Sequence, residues 1–250
     1  MRVILLAGGF GTRLGKLTKN RQKTMLPLGE EKVLERIVRS LVKEGYDEIV
    51  FSLYHRPDEV KEHFGDGSYF GVRKLWYLID EDDYGNPTAI GNGGVLRLAY
   101  RKGILDESDL VMMHNGDIVI NPNYSELENF HKKHEDAAGT ILLKELENKE
   151  DLKNFGVAEL DENNIIKRFV EKPNPEETPS SLVNTGVSVL NVNKVLPYLR
   201  SGFTHLERTV FPELASRGEL FGYRYSGYWS DIGKPEAYEK AINDAMKGII

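Results

Sequence analysis

The stretch Met1–Leu14, reading MRVILLAGGFGTRL, constrains the fold more than any other part of the chain. Val3–Leu6 is a continuous apolar run with β-branched residues, which is typical of a strand buried on both faces. The run breaks at once into Ala7–Arg13, where three glycines occupy four positions. Glycine permits positive φ and close backbone approach, and successive N–H groups in such a loop can converge on one anion. The stretch therefore predicts a phosphate-binding loop, with the Arg13 guanidinium as a partner for phosphate oxygens.

Two familiar phosphate loops do not fit this stretch. The Walker pattern requires Gly-Lys-Ser/Thr at its end, and none follows here. The dinucleotide pattern G-x-G-x-x-G can begin at Gly9, but its sixth position is Leu14. A dinucleotide-dependent oxidoreductase is therefore a disfavoured alternative. A lone glycine pair would indicate a plain turn, whereas glycines combined with Thr12 and Arg13 favour a nucleotide site.

The order of apolar patterns predicts the fold class. Strands and helices alternate through the first third of the chain, with helices expected at Val33–Glu44 and Asp58–Phe64 and strands at Glu48–Leu53 and Val72–Ile79. This alternation predicts an α/β fold, Rossmann-like and doubly wound around a mostly parallel sheet. In the second half, two apolar segments flank the turn at 161–164 and predict a β-hairpin, so an antiparallel portion is added.

Domain organisation also follows from the sequence. The Pro/Glu/Ser-rich stretch at 174–181 is too short to be an interdomain linker, so we expect a single domain over residues 1–250. The chain begins with a core strand, which leaves no room for a signal peptide, and contains no apolar run of membrane-spanning length. These features predict a cytoplasmic protein that does not associate with membranes.

Charge and composition exclude several function classes. The net charge of −6 and the isoelectric point near 5.6 argue against a nucleic-acid binder, so any polyanion site must be a local basic pocket. The chain has no cysteine, which excludes disulfides, thiolate metal sites and a cysteine nucleophile.

Polar residues follow another apolar run, at 109–113, which ends in His114-Asn115-Gly116-Asp117. Because ligands of open α/β sheets gather at the carboxyl ends of strands, Asp117 is a candidate ligand-binding residue.

Glycines at 91–94 lead into a helix and predict free N–H groups at its positive end. The acidic run Asp80–Asp83 predicts a largely solvated loop. His131 and His134 have no third metal-binding partner and are expected at the surface.

LAGGFGTRL, followed by Lys23-Thr24-Met25-Leu26-Pro27-Leu28, resembles the signature of the sugar-1-phosphate nucleotidylyltransferases, the NDP-sugar pyrophosphorylases of mannose or glucose 1-phosphate type. The resemblance runs essentially end to end, through five pieces: Gly8–Arg13, Lys23, Asn115–Asp117, Glu171–Pro173 and Trp229–Asp231. It departs at Gln22 and Thr24, where family members usually have proline beside the lysine, and at Asn92-Gly93. The family often carries a C-terminal left-handed β-helix domain, for which 250 residues leave no room.

The resemblance implies that an NTP and a sugar 1-phosphate react to give an NDP-sugar and pyrophosphate, by in-line attack of a sugar-phosphate oxygen on the α-phosphorus. The second phosphate pKa is about 6, so the nucleophile is already ionised at neutral pH and needs no general base. Catalysis then rests on positioning and on stabilisation of negative charge. Mg²⁺ is the expected cofactor, since it binds one or two carboxylates together with substrate phosphates.

The same resemblance implies the site residues. Arg13 would bind the triphosphate and the leaving pyrophosphate, and Lys23 would contact the charged phosphate oxygens near the α-phosphorus. Lys172 would bind the sugar phosphate, and Glu171 would accept hydrogen bonds from the sugar hydroxyls. The implied catalytic residues are Arg13, Lys23, Asp117 and Lys172, and the metal ligands are Asp117 and Asp231. The nucleotide site comprises Leu6, Ala7, Gly8, Gly9, Gly11, Thr12, Arg13, Lys23, Gly91, Asn115 and Asp117. The sugar-phosphate site comprises Gly156, Glu171, Lys172, Asn184 and Thr185.

The substrate pair is less constrained than the reaction. The segment Leu206–Pro212 and the compact length resemble the branch that uses GTP with mannose or heptose 1-phosphate. Glucose 1-phosphate with dTTP or UTP is the alternative. A catalytically silent regulatory subunit of the same fold is a further alternative, against which the presence of Arg13, Lys23 and Asp117 argues. The sequence leaves the oligomeric state open.

Overall fold

The computed structural model describes residues 1–250, and internal contacts group them into two compact units. Unit 1 comprises Met1–Ala89, His114–Pro122 and Gly227–Ile250, and unit 2 comprises Ile90–Met113 and Asn123–Ser226. No helix combines the length and apolar character needed to cross a membrane. The expectation of a single domain over 1–250 stays a prediction.

Unit 1 is built on parallel strands, as the alternating pattern predicts. Arg2–Leu6 pairs in parallel with Glu48–Leu53, which pairs in parallel with Lys74–Ile79. The apolar run at 3–5 is fully buried, and the helix Val33–Lys43 buries one apolar face. The other helices of unit 1 are Pro57–Phe64 and Pro235–Met246. Segments of 3₁₀ helix lie at Thr12–Leu17, which is interrupted at Gly15, and at Lys23–Met25 and Ser68–Phe70. Two short strands, Pro27–Leu28 and Glu31–Lys32, form a hairpin.

A second pairing in unit 1 was not predicted from sequence. Ile118–Ile120 and Trp229–Asp231 form a two-stranded antiparallel ribbon in which Asp231 lies opposite Ile118. The pairing joins segments more than a hundred residues apart. It places Asp231 next to Asp117, and the N–H of Ile232 donates to the C=O of Asp117.

Unit 2 contains the antiparallel strands. Leu182–Asn191 pairs antiparallel with Gly139–Glu145, which pairs in parallel with Leu220–Tyr225. The predicted hairpin is confirmed as Gly156–Leu160 antiparallel to Ile166–Glu171. The helices are Gly91–Arg101, Tyr124–Lys133, Val192–Val195, Phe211–Ser216 and a π-helical turn at Leu206–Val210, with 3₁₀ turns at Lys149–Asn154, Pro175–Glu177 and Leu196–Tyr198. The strand Leu110–Asn115 runs from unit 2 into unit 1. Parallel strands with added antiparallel ones confirm the predicted α/β class.

Two polar residues differ from their expected surroundings. The acidic run is expected to be largely solvated, but its first residue, Asp80, is buried, because it directly follows the strand Lys74–Ile79 and its carboxylate accepts a hydrogen bond from Ser52 Oγ at 2.8 Å. His131, expected at the surface, is buried with its Nδ1 2.9 Å from Thr140 Oγ1. In each case a hydroxyl on another element, 28 residues away for Asp80 and 9 for His131, satisfies the buried group, so the local pattern gives no indication of it.

Candidate functional site

The glycine loop of unit 1 follows the first strand, as predicted. Gly11 adopts φ of 67°, a left-handed conformation that favours glycine. Its carbonyl accepts hydrogen bonds from the N–H of Leu14 at 3.0 Å and from Thr18 Oγ1 at 2.8 Å. The loop is thereby tied back on itself, while Gly9 and Thr12 remain exposed.

Gln22 fixes the segment that carries Lys23. Its buried side chain donates from Nε2 to the C=O of Ala7, and its Oε1 accepts from the N–H of Thr24 at 2.6 Å and from Thr24 Oγ1 at 2.5 Å. The N–H of Gln22 donates to Glu59 Oε2 at 2.6 Å. Gln22 and Thr24 are the residues at which the chain departs from the resembled family. Here they bind each other and the glycine loop, and so they hold Lys23 beside that loop.

The Lys23 ammonium lies between two carboxylates. Its Nζ is 2.5 Å from Asp117 Oδ2 and 3.9 Å from Asp231 Oδ1. The lysine side chain is 6% exposed, whereas the side chains of Asp117 and Asp231 are 32% and 28% exposed. The two carboxylates therefore share a buried cation from one side and retain access to solvent.

Asn115-Gly116-Asp117 is anchored to the first strand. The N–H of Gly116 donates to the C=O of Leu6 at 2.9 Å. A Cβ at Gly116 would lie 2.8 Å from that same carbonyl oxygen, so the backbones approach too closely for any other residue. This contact places Asp117 beside the exit of the strand, where the glycine loop begins.

Arg13 completes this cluster. A Cβ at Gly233 would lie 2.9 Å from an Arg13 terminal nitrogen and 2.8 Å from Asp231 Oδ1, so the guanidinium lies close over the Gly233 backbone. The N–H of Gly233 donates to Asp231 Oδ1 at 2.7 Å. Burial, followed by repulsion from Asp117, raises the pKa of Asp231, while Lys23 and Arg13 oppose that rise. Unit 1 thus brings together Arg13, Lys23, Asp117 and Asp231.

The donor set of this cluster fits a hard divalent cation. The carboxylates of Asp117 and Asp231 both lie within 4 Å of the Lys23 ammonium, so the two groups already face one positive charge. No group of three or more histidine, cysteine, aspartate or glutamate side chains could hold a metal. A metal at Asp117 and Asp231 would therefore complete its shell with water or phosphate oxygens, which is the pattern that Mg²⁺ prefers.

Unit 2 brings together three of the residues assigned to the sugar phosphate. Glu171 is the register partner of Gly156, and a Cβ at Gly156 would lie 3.0 Å from Glu171 Oε2. Lys172 Nζ lies 3.6 Å from Glu171 Oε1. Lys172 adopts φ of 54°, and its N–H donates to the C=O of Phe155 at 2.9 Å. A lysine in this conformation is strained, and such strain clusters at functional sites.

Three further residues surround this pair, and sequence reasoning gave none of them a role. The strand Ile166–Glu171 packs against the turn Leu206–Val210, which carries Glu207 and Arg208. Burial, followed by repulsion from Glu207, raises the pKa of Glu171. Burial, followed by the Arg208 charge, lowers the pKa of His205. The turn Leu206–Val210 is π-helical, a conformation that is frequent at functional sites, and the local sequence pattern gives no indication of it.

The remaining assigned residues have defined places in unit 2. Asn184 is half-buried and its Oδ1 accepts from the N–H of Gly186 at 2.9 Å. Thr185 is buried and its hydroxyl donates to the C=O of Leu142 at 2.8 Å. Gly91 adopts φ of 72° at the start of the helix Gly91–Arg101.

The expectation of free N–H groups at the start of that helix is wrong for two glycines. The N–H groups of Gly93 and Gly94 donate to the C=O of Thr204 at 2.9 and 3.3 Å. A segment distant in sequence therefore satisfies donors that the local glycine pattern suggested were available for an anion.

The sequence model of the nucleotidyl transferase family matches residues 2–248. The chain is 29% identical over 249 residues to a mannose-1-phosphate guanylyltransferase of Mycobacterium tuberculosis, with 98% of this chain and 65% of that protein covered. It is 30% identical over 253 residues to a UTP–glucose-1-phosphate uridylyltransferase of Synechocystis, with 98% and 63% covered. The chain thus spans less than two thirds of the length of these curated relatives.

A solved structure resembles the whole chain. The crystal structure of a putative glucose-1-phosphate thymidylyltransferase from Bacillus anthracis, determined with a sucrose, superimposes with a TM-score of 0.82 at 25% identity. The match covers 98% of this chain and 95% of that one. Sequence and fold agree, and the chain belongs to the nucleotidyl transferase family.

Proposed function

We propose that the protein is an enzyme that joins an NTP and a sugar 1-phosphate to give an NDP-sugar and pyrophosphate, with Mg²⁺ as cofactor. The observation that carries the proposal is the position of the Lys23 ammonium, within 4 Å of both Asp117 and Asp231 and beside a glycine loop with Arg13. Membership of the nucleotidyl transferase family supports it.

The main obstacle to this reaction is the electrostatic repulsion between its two anionic reactants. The positively charged side chains of unit 1 would reduce that repulsion. Arg13 would bind the triphosphate and stabilise the charge that develops on the leaving pyrophosphate. Lys23 would lie against phosphate oxygens near the α-phosphorus. Asp117 and Asp231 would hold Mg²⁺, which supplies charge neutralisation and orients the α-phosphate when it is bound. Gln22 would keep Lys23 in place.

In unit 2, Lys172 would bind the phosphate of the sugar 1-phosphate and Glu171 would accept hydrogen bonds from its hydroxyls. A phosphate with a second pKa of about 6 is already a dianion at neutral pH, so no residue is needed to remove a proton from the nucleophile. The role of this chain is therefore to position and neutralise, and a well-placed charged group of that kind contributes roughly 10²–10³ in rate.

GTP with mannose or heptose 1-phosphate is our preferred substrate pair, because the segment Leu206–Pro212 and the mannose-1-phosphate guanylyltransferase relative both favour that branch. The uridylyltransferase relative supports glucose 1-phosphate with UTP or dTTP as the second pair. If the protein were instead a regulatory subunit, it would bind a nucleotide without catalysing turnover.

The experiment that tests the proposal is a matrix of the five common NTPs against mannose, glucose, galactose and heptose 1-phosphates, with Mg²⁺, read by pyrophosphate release. We expect one or two pairs to give turnover that stops when EDTA is added. Release of pyrophosphate from no pair, combined with measurable binding of an NTP, would instead support a regulatory binder. Absence of both binding and turnover would refute the proposal.

A further inference from the structure

Gln22 carries a backbone N–H group in a conformation that also suits a proline. Its φ is −69° and its ψ is 135°, and a proline ring restricts φ to about −65°. The residue is completely buried, so solvent does not hydrate its N–H group. A buried N–H without an acceptor costs free energy. The position therefore requires either a residue that lacks this donor or a partner that accepts from it.

The partner is Glu59. Its Oε2 accepts from the N–H of Gln22 at 2.6 Å, and a hydrogen bond to an ionised carboxylate is stronger than one between neutral groups. The other oxygen, Oε1, lies 3.9 Å from Nε of Arg21, whose side chain is 50% exposed. An ion pair that is so exposed contributes little. Glu59 therefore acts mainly on the backbone of Gln22.

Glu59 lies on a helix that is fixed to the core. It occupies the first turn of the helix Pro57–Phe64, which buries Val60 and Phe64. A side chain on a packed helix is held more precisely than one on a loop. The carboxylate thus provides a fixed point to which the Gln22 backbone is attached.

Gln22 is attached at two points, and both affect Lys23, the next residue. Its side chain binds Ala7 and Thr24. Its backbone N–H binds Glu59 and so ties the segment to the packed helix. A shift of the Gln22 backbone would displace the ammonium of Lys23 from the two carboxylates that lie within 4 Å of it.

We propose that Glu59 is a positioning residue for Lys23, and that it acts by accepting a hydrogen bond from the N–H of Gln22. A proline at position 22, as is usual in the resembled family, would fix φ by its ring and would have no N–H to donate. In this chain the hydrogen bond to Glu59 supplies that constraint. The inference rests on the proposed function, because it assumes that Lys23 contacts phosphate oxygens during the reaction.

The test is a double-mutant cycle read by pyrophosphate release. Glu59→Ala removes the acceptor, and Gln22→Pro removes the N–H donor. The two changes are made separately and together, and kcat and KM are measured for the best NTP and sugar 1-phosphate pair. Arg21→Ala, which removes only the other partner of the carboxylate, and Glu62→Ala, at an exposed position of the same helix, are the matched controls.

We expect Glu59→Ala to lower kcat by about 10- to 100-fold, the scale of a small displacement of a catalytic group, with KM for the sugar 1-phosphate unchanged. Gln22→Pro has no N–H to donate, so Glu59→Ala should cause no further loss in that background. Both controls should keep the wild-type kcat. A wild-type kcat in Glu59→Ala, equal losses from Glu59→Ala in both backgrounds, or an equal loss in Arg21→Ala would overturn the inference.

A conservative variant keeps the test decisive if Gln22→Pro does not fold, as judged by circular dichroism. Glu59→Gln retains an acceptor oxygen at the same place, so it should restore part of the kcat that Glu59→Ala loses. No restoration would overturn the inference.

Hydrogen exchange of the Gln22 amide separates this inference from the proposed function, because it needs no substrate. Exchange should be faster in Glu59→Ala by about 10- to 100-fold, the scale of a hydrogen bond to a charged group. If wild type turns over no sugar 1-phosphate, the proposed function has failed and the inference falls with it. If wild type is active and Glu59→Ala changes neither the exchange nor kcat, only the role of Glu59 is refuted.

Discussion

The Nζ of Lys23 lies 2.5 Å from Oδ2 of Asp117, a charged contact in which the lysine is buried and the carboxylate remains partly open. Asp231 lies 3.9 Å from the same nitrogen on the neighbouring strand of the ribbon. The ammonium occupies the position from which a divalent ion would engage both carboxylates. A metal held by both carboxylates, as proposed, would therefore compete with Lys23 for the same oxygens.

The competition predicts that Lys23→Met binds a metal more tightly than wild type in the absence of nucleotide. Removing an ammonium that neutralises both carboxylates should raise the affinity for Mn²⁺ by about tenfold or more, because charges about 4 Å apart interact by several kcal/mol near a protein surface. Electron paramagnetic resonance of free Mn²⁺ measures this affinity.

Arg13→Met is the matched control for that measurement, because Arg13 also lies near Asp231 but not between the two carboxylates. Its affinity for Mn²⁺ should rise less than that of Lys23→Met. Equal gains in the two variants would indicate a general charge effect, and no gain in Lys23→Met would show that the lysine does not hold the metal position.

Gln22 offers a prediction about stability. Its side chain is buried and makes three hydrogen bonds, to Ala7 and twice to Thr24. Gln22→Ala leaves these buried partners unpaired and should lower the free energy of unfolding by about 2–3 kcal/mol. Urea denaturation measures the loss. Asn20→Ala, at an exposed position two residues earlier, should change it little, and equal stability of both variants would contradict the network described for Gln22.

Asp80 offers a prediction about pH dependence. Burial raises its pKa from 3.8 to about 6, against the opposing hydrogen bond from Ser52. Between these two pH values the folded protein holds a proton that the unfolded chain has lost, so stability falls as pH rises through the window. Asp80→Asn removes this penalty. It should gain about 3 kcal/mol over wild type between pH 4 and pH 7, at 1.36 kcal/mol per pKa unit.

Denaturant titrations of both proteins at the two pH values test this difference. Asp82→Asn is a useful contrast, because hydrogen bonds from Asn86 lower the pKa of Asp82 and its removal should shift the pH trend in the opposite sense. Parallel pH profiles for wild type and Asp80→Asn would show that Asp80 is ionised at no cost.

The fold was most predictable where a local pattern decides it. The strand Glu48–Leu53 has the bounds expected from its apolar run, and the helix Val33–Lys43 ends one residue from the expected bound. The ribbon of Ile118–Ile120 with Trp229–Asp231 was not found, because its partners are distant in sequence and the three residues at 229–231 are all half-buried, without an apolar alternation.

In the site as well, the residues that belong to a local motif could be predicted, whereas those that depend on distant partners could not. The resemblance named Asp117, Asp231 and Lys23, and the structure places them within one cluster of unit 1. Gln22 and Asn92 were seen only as departures from a pattern, because their side chains form hydrogen bonds with distant segments. A polar residue whose partner lies far along the chain gives no periodic signal.

The central claim is that the carboxylate and ammonium cluster of unit 1 carries nucleotidyl transfer. It is tested most directly by the rate of pyrophosphate release from the best NTP and sugar 1-phosphate pair, measured for wild type, Asp117→Asn and the exposed control Asp136→Asn. We expect Asp117→Asn to lose roughly 10²–10³ or more in rate while its circular dichroism spectrum is unchanged, and Asp136→Asn to retain full activity. Full turnover by a folded Asp117→Asn protein would contradict the account.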